Sequence, residues 1–256
     1  MTKKIFDLTG RVAVVTGASS GLGVQMAKAL ARQGADIAIL ARRKWKLDEV
    51  AEEIRGLGVK CVPVKCDVTD SSQIAAAVEV VKAEYGKVDI LVNNAGSGGP
   101  GPAEDKSDED WRKVIAVDLD GVFMVSRDFG RLMIANKYGR IINIASMYGL
   151  VGAPIVPSAA YHASKGGVVN LTRALAAEWA KYNITVNAIC PGYFVTDFTR
   201  DKFETEEFTN HMKIHVPLGR YGKEGELDST VVYLAADESA YVTGSILSVD
   251  GGYTCI

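Results

Sequence analysis

The chain lacks the features that mark a metal protein, a disulfide scaffold, a membrane protein or a polyanion binder. Its four cysteines (Cys61, Cys66, Cys190, Cys255) and three histidines (His162, His211, His215) show no ligand spacing. No metal is therefore expected, and none of the histidines is assigned to catalysis. The cysteines read as reduced, mostly buried thiols, as in a cytosolic compartment. No run approaches the roughly 18 apolar residues of a membrane span, and the opening MTKKIFDLTGR has no apolar leader core. Charge of one sign is missing too. The formal net charge is −2 with both signs mixed, and the densest basic cluster, ARRKWK at 41–46, is too short for a nucleic-acid face. No linker, repeat or low-complexity tract divides the chain. What remains is a soluble cytoplasmic protein, a single domain over 1–256, with a small molecule as its partner and neither nucleic acid nor membrane.

What is present is apolar and regularly punctuated. With 48% hydrophobic residues, the 256-residue chain has material for a sizeable core. Short β-branched runs recur at 11–17, 36–41, 60–67, 88–96, 140–146, 184–192 and 246–252. They are continuously apolar rather than alternating, the pattern of strands buried on both faces. Helical patterns lie between them. Residues 21–33 place Met26, Ala27, Leu30 and Ala31 on one face and stop at Gly34; residues 71–85 begin at a serine pair and bury Ile74, Val78 and Val81. Longer helices are expected over 107–137 and 160–182. The alternation predicts an α/β, Rossmann-like doubly wound fold, a seven-stranded parallel sheet with helices on both faces. One long irregular region, 193–222, is expected to be a substrate lid.

TGASSGLG follows the first strand and opens the first helix, with Gly17, Gly21 and Gly23 at the turn. Close backbone approach to a pyrophosphate needs such glycines, and the helix N-terminus supplies unpaired N–H groups and partial positive charge. The spacing G-x-x-x-G-x-G differs from the commoner G-x-G-x-x-G, and a tight strand-to-helix turn is the plain alternative. An NAD site usually carries a carboxylate at the end of the second strand, about 20 residues past the glycine turn. Here that strand ends in Arg42 and Arg43. A guanidinium pairs with a 2′-phosphate in a way that a hydroxyl does not reward, so NADP(H) is preferred, with NAD(H) as the alternative.

AAYHASKGG at 159–167 sets Tyr161 and Lys165 four residues apart, on one helix face. Reducing a ketone by hydride requires a proton for the developing alkoxide. A tyrosine donates it readily, but with an ordinary pKa of about 10 it is a poor base for the reverse reaction. A neighbouring lysine cation favours the phenolate.

Taken in order, TGASSGLG, NNAG (93–96), Ser146, YHASK (161–165) and PGYFVT (191–196) resemble the short-chain dehydrogenase/reductase family over residues 8 to 252. The resemblance implies that Gly17, Ser19, Ser20, Gly21, Leu22 and Gly23 line cofactor phosphates and ribose. It likewise implies that Asp67 and Val68 hold the adenine, and that Asn93, Ala95 and Gly96 border the adenosine ribose and the sheet core. Pro191, Gly192, Phe194 and Thr196 embrace the nicotinamide carboxamide. By the same resemblance, Ser146, Tyr161 and Lys165 would be catalytic, with Tyr161 and Lys165 also touching the cofactor.

Two departures stand out. The family's fourth catalytic residue, an asparagine, falls in VIAVDLDGVF (114–123) at Asp118. A backbone role survives that change, and a carboxylate there is expected to pair with Lys165 and shift the Tyr161 titration. Ser146 and Tyr161 are also further apart than in most members, because YGLVGAPIVPS (148–158) is long, as in the sugar and polyol branch. Ser158 is the rival serine. PGYFVTDFT resembles the gluconate 5-dehydrogenase group, whose substrates are keto sugar acids. Substrate choice would lie in 97–106 and 193–222, with Arg200, Lys202 and Lys213 as carboxylate partners or solvated lid charges. The function expected is NADP(H)-dependent hydride transfer on a sugar, sugar acid or polyol. A 3-oxoacyl-thioester or hydroxysteroid reductase and a non-catalytic nucleotide-binding redox sensor are the alternatives. The resemblance further implies a homotetramer.

Overall fold

The first strand, β1 (Val12–Thr16), is buried at every residue and lies inside a parallel seven-stranded sheet, third from one edge. A computed structural model describes residues 5–153, 156–196, 203 and 205–256 of the chain. The other strands are β2 (Asp36–Ala41), β3 (Cys61–Lys65), β4 (Ile90–Asn93), β5 (Gly139–Ile144), β6 (Ile184–Pro191) and β7 (Ile246–Val249), in the order β3-β2-β1-β4-β5-β6-β7. Every adjacent pair is parallel; Val14, for example, stands beside Ala38 on one side and Leu91 on the other. The strand order reverses between β1 and β4. Their carboxyl ends part there and leave a crevice, the place where such sheets bind ligands.

Successive residues of a strand point to opposite faces, so the apolar runs feed two cores. Val15, Ile37 and Ile39 meet α1 (Gly21–Arg32), α2 (Lys44–Arg55) and α8 (Asp228–Ala235) through Met26, Leu30, Ile54 and Val231. Val14, Ala38 and Leu40 belong to the other face, with Ile74 and Val81 of α3 (Ser71–Tyr85), Phe129 and Met133 of α5 (Gly121–Asn136) and Leu175 of α6 (Ala159–Trp179). Among the described residues, no helix is long and apolar enough to cross a membrane.

Several elements differ from their sequence expectations. The helix expected over 107–137 is α4 (Asp108–Ile115), a single π turn over Ala116–Asp120, and then α5. Ser107 caps its start by accepting from the Asp110 N–H at 3.0 Å. Helix α3 keeps its expected span from the serine pair at 71 to 85, and its start is capped by the Asp70 carboxylate, which accepts from the Ser72 and Gln73 N–H groups. Strand β7 is not buried on both faces; it is half-exposed at the sheet edge. Helices α2 and α8 carry no expectation from the sequence. Inside the region read as irregular, Glu206–His215 forms α7, capped by Thr205.

Candidate active site

Strand β1 runs into Gly17 and Gly21, both at positive φ (66° and 59°), where only glycine turns without strain. Side chains here would also collide with the neighbouring segment. A Cβ on Gly17 would lie 2.8 Å from Ala95 Cα, and one on Gly23 2.5 Å from Asn94 Nδ2. The turn ends at Ser20, which stands at the N-cap of α1 without capping it, so the first N–H groups of that helix have no side-chain acceptor. The Ser19 and Ser20 hydroxyls instead accept from Arg43 Nη2, each at 3.0 Å. No described carboxylate pairs with Arg43, and Arg42 is exposed with no described hydrogen-bond partner. Free helix N–H groups, glycines packed on backbone and an acid-free guanidinium form a donor set that fits a phosphorylated dinucleotide.

The other expected binding residues divide between crevice and core. At the end of β3, Asp67 accepts from the Thr69 N–H and hydroxyl (3.0 and 2.8 Å), and Val68 is buried against Gly121. Asn93 is 1% exposed, and its amide donates to Ser126 Oγ and Asn143 Oδ1, both at 2.8 Å, which makes it a strut of the sheet core. Its neighbour Asn94, unremarked in the sequence, faces the crevice and donates to the Thr16 and Gly17 carbonyls. The Ala95 N–H donates to Thr16 Oγ1 at 3.0 Å.

Beyond β5, the chain places Ser146 ahead of a tight turn over Met147–Gly149, and Ser146 Oγ accepts from the Tyr148 N–H at 3.1 Å. That turn rests directly on α6: a Cβ on Gly149 would lie 2.7 Å from the Lys165 carbonyl. Helix α6 carries Tyr161 and Lys165 one turn apart. The Lys165 ammonium, 3% exposed, donates to the Ile144 carbonyl at 3.0 Å and lies 5.5 Å from the Tyr161 ring centroid. Burial pushes Tyr161 up to about 12, the charge of Asp118 adds to this, and a hydrogen bond from Ser146 opposes it. Burial lowers Lys165, against the attraction of Asp118. The expected lowering of the tyrosine is thus absent in the protein alone. Burial and the Asp118 charge prevail, and Tyr161 is a phenol with its proton in place.

Asp118 sits on the π turn with no exposed surface. Its Oδ1 accepts from the Ser97 N–H at 2.6 Å and the Ser97 hydroxyl at 3.3 Å, while Oδ2 is buried without a partner. Burial raises its pKa; Lys165 and the Ser97 bonds oppose the rise. The expected pairing with Lys165 is therefore electrostatic, not a contact ion pair. The two groups flank Gly96, where a Cβ would lie 3.6 Å from both Asp118 Oδ1 and Lys165 Nζ.

Ser146, Tyr161 and Lys165 form one wall of a cavity of about 520 Å³. Leu22, Pro191, Gly192, Phe194 and Thr196 also line it, as does the loop over Ser97–Pro100. Gly192 is pinned, since a Cβ there would lie 2.6 Å from Asp250 Cα. Ser158 lines the cavity too, but its hydroxyl donates to the Val156 carbonyl (3.0 Å) and meets His162 Nδ1 (3.2 Å), far from the geometry of Ser146. Of the lid charges, Lys213 is exposed on α7, and Arg200 and Lys202 lie outside the described residues. The outer wall is aromatic: Tyr148, Tyr193 and Phe203. Tyr193 lies within PGYFVT and Tyr148 opens the long 148–158 stretch, and the sequence pattern alone gives neither a role. Behind them His211 is buried, with its pKa held down first by burial and then by His215.

The family model described as Enoyl-(Acyl carrier protein) reductase matches residues 17–254. The chain is 42% identical over 253 residues to the galactitol 2-dehydrogenase (L-tagatose-forming) of Cereibacter sphaeroides, covering 98% of each chain. It is 37% identical over 250 residues to the gluconate 5-dehydrogenase of Gluconobacter oxydans (strain 621H), covering 98% of this chain and 97% of that one. The crystal structure of a gluconate 5-dehydrogenase from Burkholderia cenocepacia J2315, in complex with NADP and tartrate, superposes with a TM-score of 0.93 at 38% identity, covering 98% of both.

Proposed function

The chain belongs to the short-chain dehydrogenases/reductases, oxidoreductases of CH–OH groups, and from that premise we propose that it is an NADP(H)-dependent enzyme interconverting a ketone and a secondary alcohol on a sugar, sugar acid or polyol. The observation that carries the reading is the meeting of Ser146, Tyr161 and Lys165 at one wall of a cavity that Leu22 also lines, just past the glycine turn whose Ser19 and Ser20 hold Arg43. The names of the relatives support the substrate class.

When bound, the nicotinamide supplies or takes up the hydride. The protein's own groups manage the proton and the alignment. Tyr161, a phenol at neutral pH, donates its proton to the alkoxide oxygen as a ketone is reduced; in the reverse direction it must first lose that proton. Ser146 orients the substrate oxygen beside Tyr161, since it is held at the end of β5 by its bond to the Tyr148 N–H. Lys165, anchored on the Ile144 carbonyl, lies 5.5 Å from the centre of the tyrosine ring and lines the crevice where a ribose would be held. Arg43, with Ser19 and Ser20, is the group to receive a 2′-phosphate. The same reading carries a homotetramer; the apolar side chains of Trp111 and Phe123, left exposed on α4 and α5, support it, and size-exclusion chromatography tests it.

Following absorbance at 340 nm with NADPH and with NADH, against 5-ketogluconate, fructose and sorbose, tests the proposal. Turnover of a keto sugar with NADPH is expected. Turnover with NADH alone contradicts the role of Arg43.

A further inference from the structure

Two phenols face the substrate cavity in a way the reaction itself does not need. The hydroxyls of Tyr148 and Tyr193 lie 2.7 Å apart, buried, on the wall next to the catalytic tyrosine. The Tyr148 ring stands edge-on to the Tyr161 ring, with centroids 6.4 Å apart at 87°. A substrate whose reacting oxygen sits at Ser146 and Tyr161 meets this pair in the same cavity, beside the carbons next to the reacting one. Met147, Val156 and Phe203 add apolar surface around the pair. A ketone without further polar groups would leave two phenol oxygens desolvated beside hydrocarbon, an arrangement that costs free energy.

The hydrogen-bond count leaves a valence free. One phenol donates to the other, and Tyr193 is further surrounded by Tyr253 and, at 3.5 Å, by His211 Nε2. When Tyr148 is the donor, its oxygen keeps lone pairs toward the cavity. When Tyr193 is the donor, Tyr148 keeps its own hydrogen free. In either rotor arrangement Tyr148 retains bonding capacity, as donor or as acceptor. That adaptability suits an alcohol hydroxyl, which both donates and accepts. It suits a carboxylate less, because a carboxylate only accepts.

Both rings are rigidly held. Tyr148 stacks on His162, at 4.5 Å and 13°, and its N–H is bound by the catalytic Ser146. Tyr193 is gripped edge-on by Phe203, Phe208 and Tyr253 at 5.2–5.7 Å. Side chains fixed before the ligand arrives give up little entropy on binding.

We propose that the Tyr148–Tyr193 hydroxyl pair is a specificity-determining subsite that binds a hydroxyl group on the substrate carbons next to the reacting one. Building on the oxidoreductase reading above, this narrows the substrate to a polyhydroxylated ketone or its polyol. Specificity arises because a substrate without that hydroxyl leaves the pair unpaired.

The experiment compares L-sorbose, a neutral polyhydroxy ketone, with cyclohexanone, which has no hydroxyl, by NADPH consumption in the wild type, Tyr148→Phe, Tyr193→Phe and the double variant. Thermal melts check that each variant is folded. In each single variant, the ratio of kcat/KM for sorbose to that for cyclohexanone should fall about tenfold. The double variant should lose little more than the worse single, because the two hydroxyls act as one unit. A ratio unchanged in both single variants overturns the subsite. So does wild-type reduction of cyclohexanone with no preference for sorbose, an outcome that leaves the hydride-transfer reading standing. No NADPH consumption with either ketone overturns both.

Discussion

Tyr161 carries its proton to about 12 because burial and the Asp118 charge both disfavour a phenolate. As a donor it is well prepared; as a base it needs help. Tyr161→Phe should therefore lower keto-sugar reduction by about a thousandfold or more, within the usual range of a lost general acid, while NADPH binding measured by fluorescence changes little. Asp118 is the adjustable neighbour. Asparagine in its place keeps an acceptor for the Ser97 N–H but removes the charge that repels a phenolate. In Asp118→Asn, the pH profile of alcohol oxidation should move toward lower pH; an unmoved profile would detach Asp118 from the tyrosine. The sign for stability follows from the direction of its own pKa, raised by burial. A carboxyl raised in the folded state stabilises fully below its unfolded pKa of about 3.9 and loses that contribution as pH rises through the folded value. Asp118→Asn, neutral at every pH, should gain on the wild type in Tm as the pH rises above about 4, by differential scanning fluorimetry.

Elements decide where these residues meet. The β1–α1 turn and the end of β2 join through Arg43 and the two serines, and the proposed function makes cofactor discrimination a property of that junction. Arg43→Ala should raise the Kd for NADPH by about 10- to 100-fold, consistent with loss of charge-assisted bonds, and leave that for NADH within a few-fold, by isothermal titration calorimetry. The turn after Ser146 is pressed against α6, and Gly149→Ala would drive a Cβ into the Lys165 backbone. Urea unfolding should show a loss of about 1–3 kcal/mol, accompanied by a fall in kcat as Ser146 and Lys165 move apart. The strands and the glycine turn were legible in the sequence because strands buried on both faces read as unbroken apolar runs, and because the turn requires glycine at positive φ. The π turn was not: VIAVDLDGVF keeps helical spacing throughout. Gly121 packs so closely on Val68 that a Cβ would come within 2.9 Å, and that contact belongs to tertiary structure. Nor was the Tyr148–Tyr193 pair, whose members are 45 positions apart and meet only after β6 pairs with β5. Ser146, Tyr161 and Lys165 were legible by their order and spacing, whereas the balance of charge among them depends on burial, which a sequence does not carry.

At the scale of the molecule, the two cores hold the carboxyl ends of β1, β4, β5 and β6 in one place, and the crevice lies where the strand order reverses. The proposed dinucleotide donors follow β1 and β2 and the proposed proton donor stands by β5, on the two sides of the reversal, so a bound cofactor would bridge the two halves of the sheet. Saturation with NADPH at about 100 times its Kd should stabilise the fold by about 2.7 kcal/mol, a rise of several degrees in Tm for a chain of this size. The central claim is that this crevice transfers hydride to a polyhydroxy ketone from NADPH, with Tyr161 as the proton donor. The measurement that meets it most directly is consumption of NADPH at 340 nm in the presence of L-sorbose or 5-ketogluconate, for the wild type beside Tyr161→Phe. Turnover in the wild type and its loss in the folded, NADPH-binding variant is the predicted result. Equal rates in the two proteins, or no turnover by a wild type that binds NADPH, would contradict it.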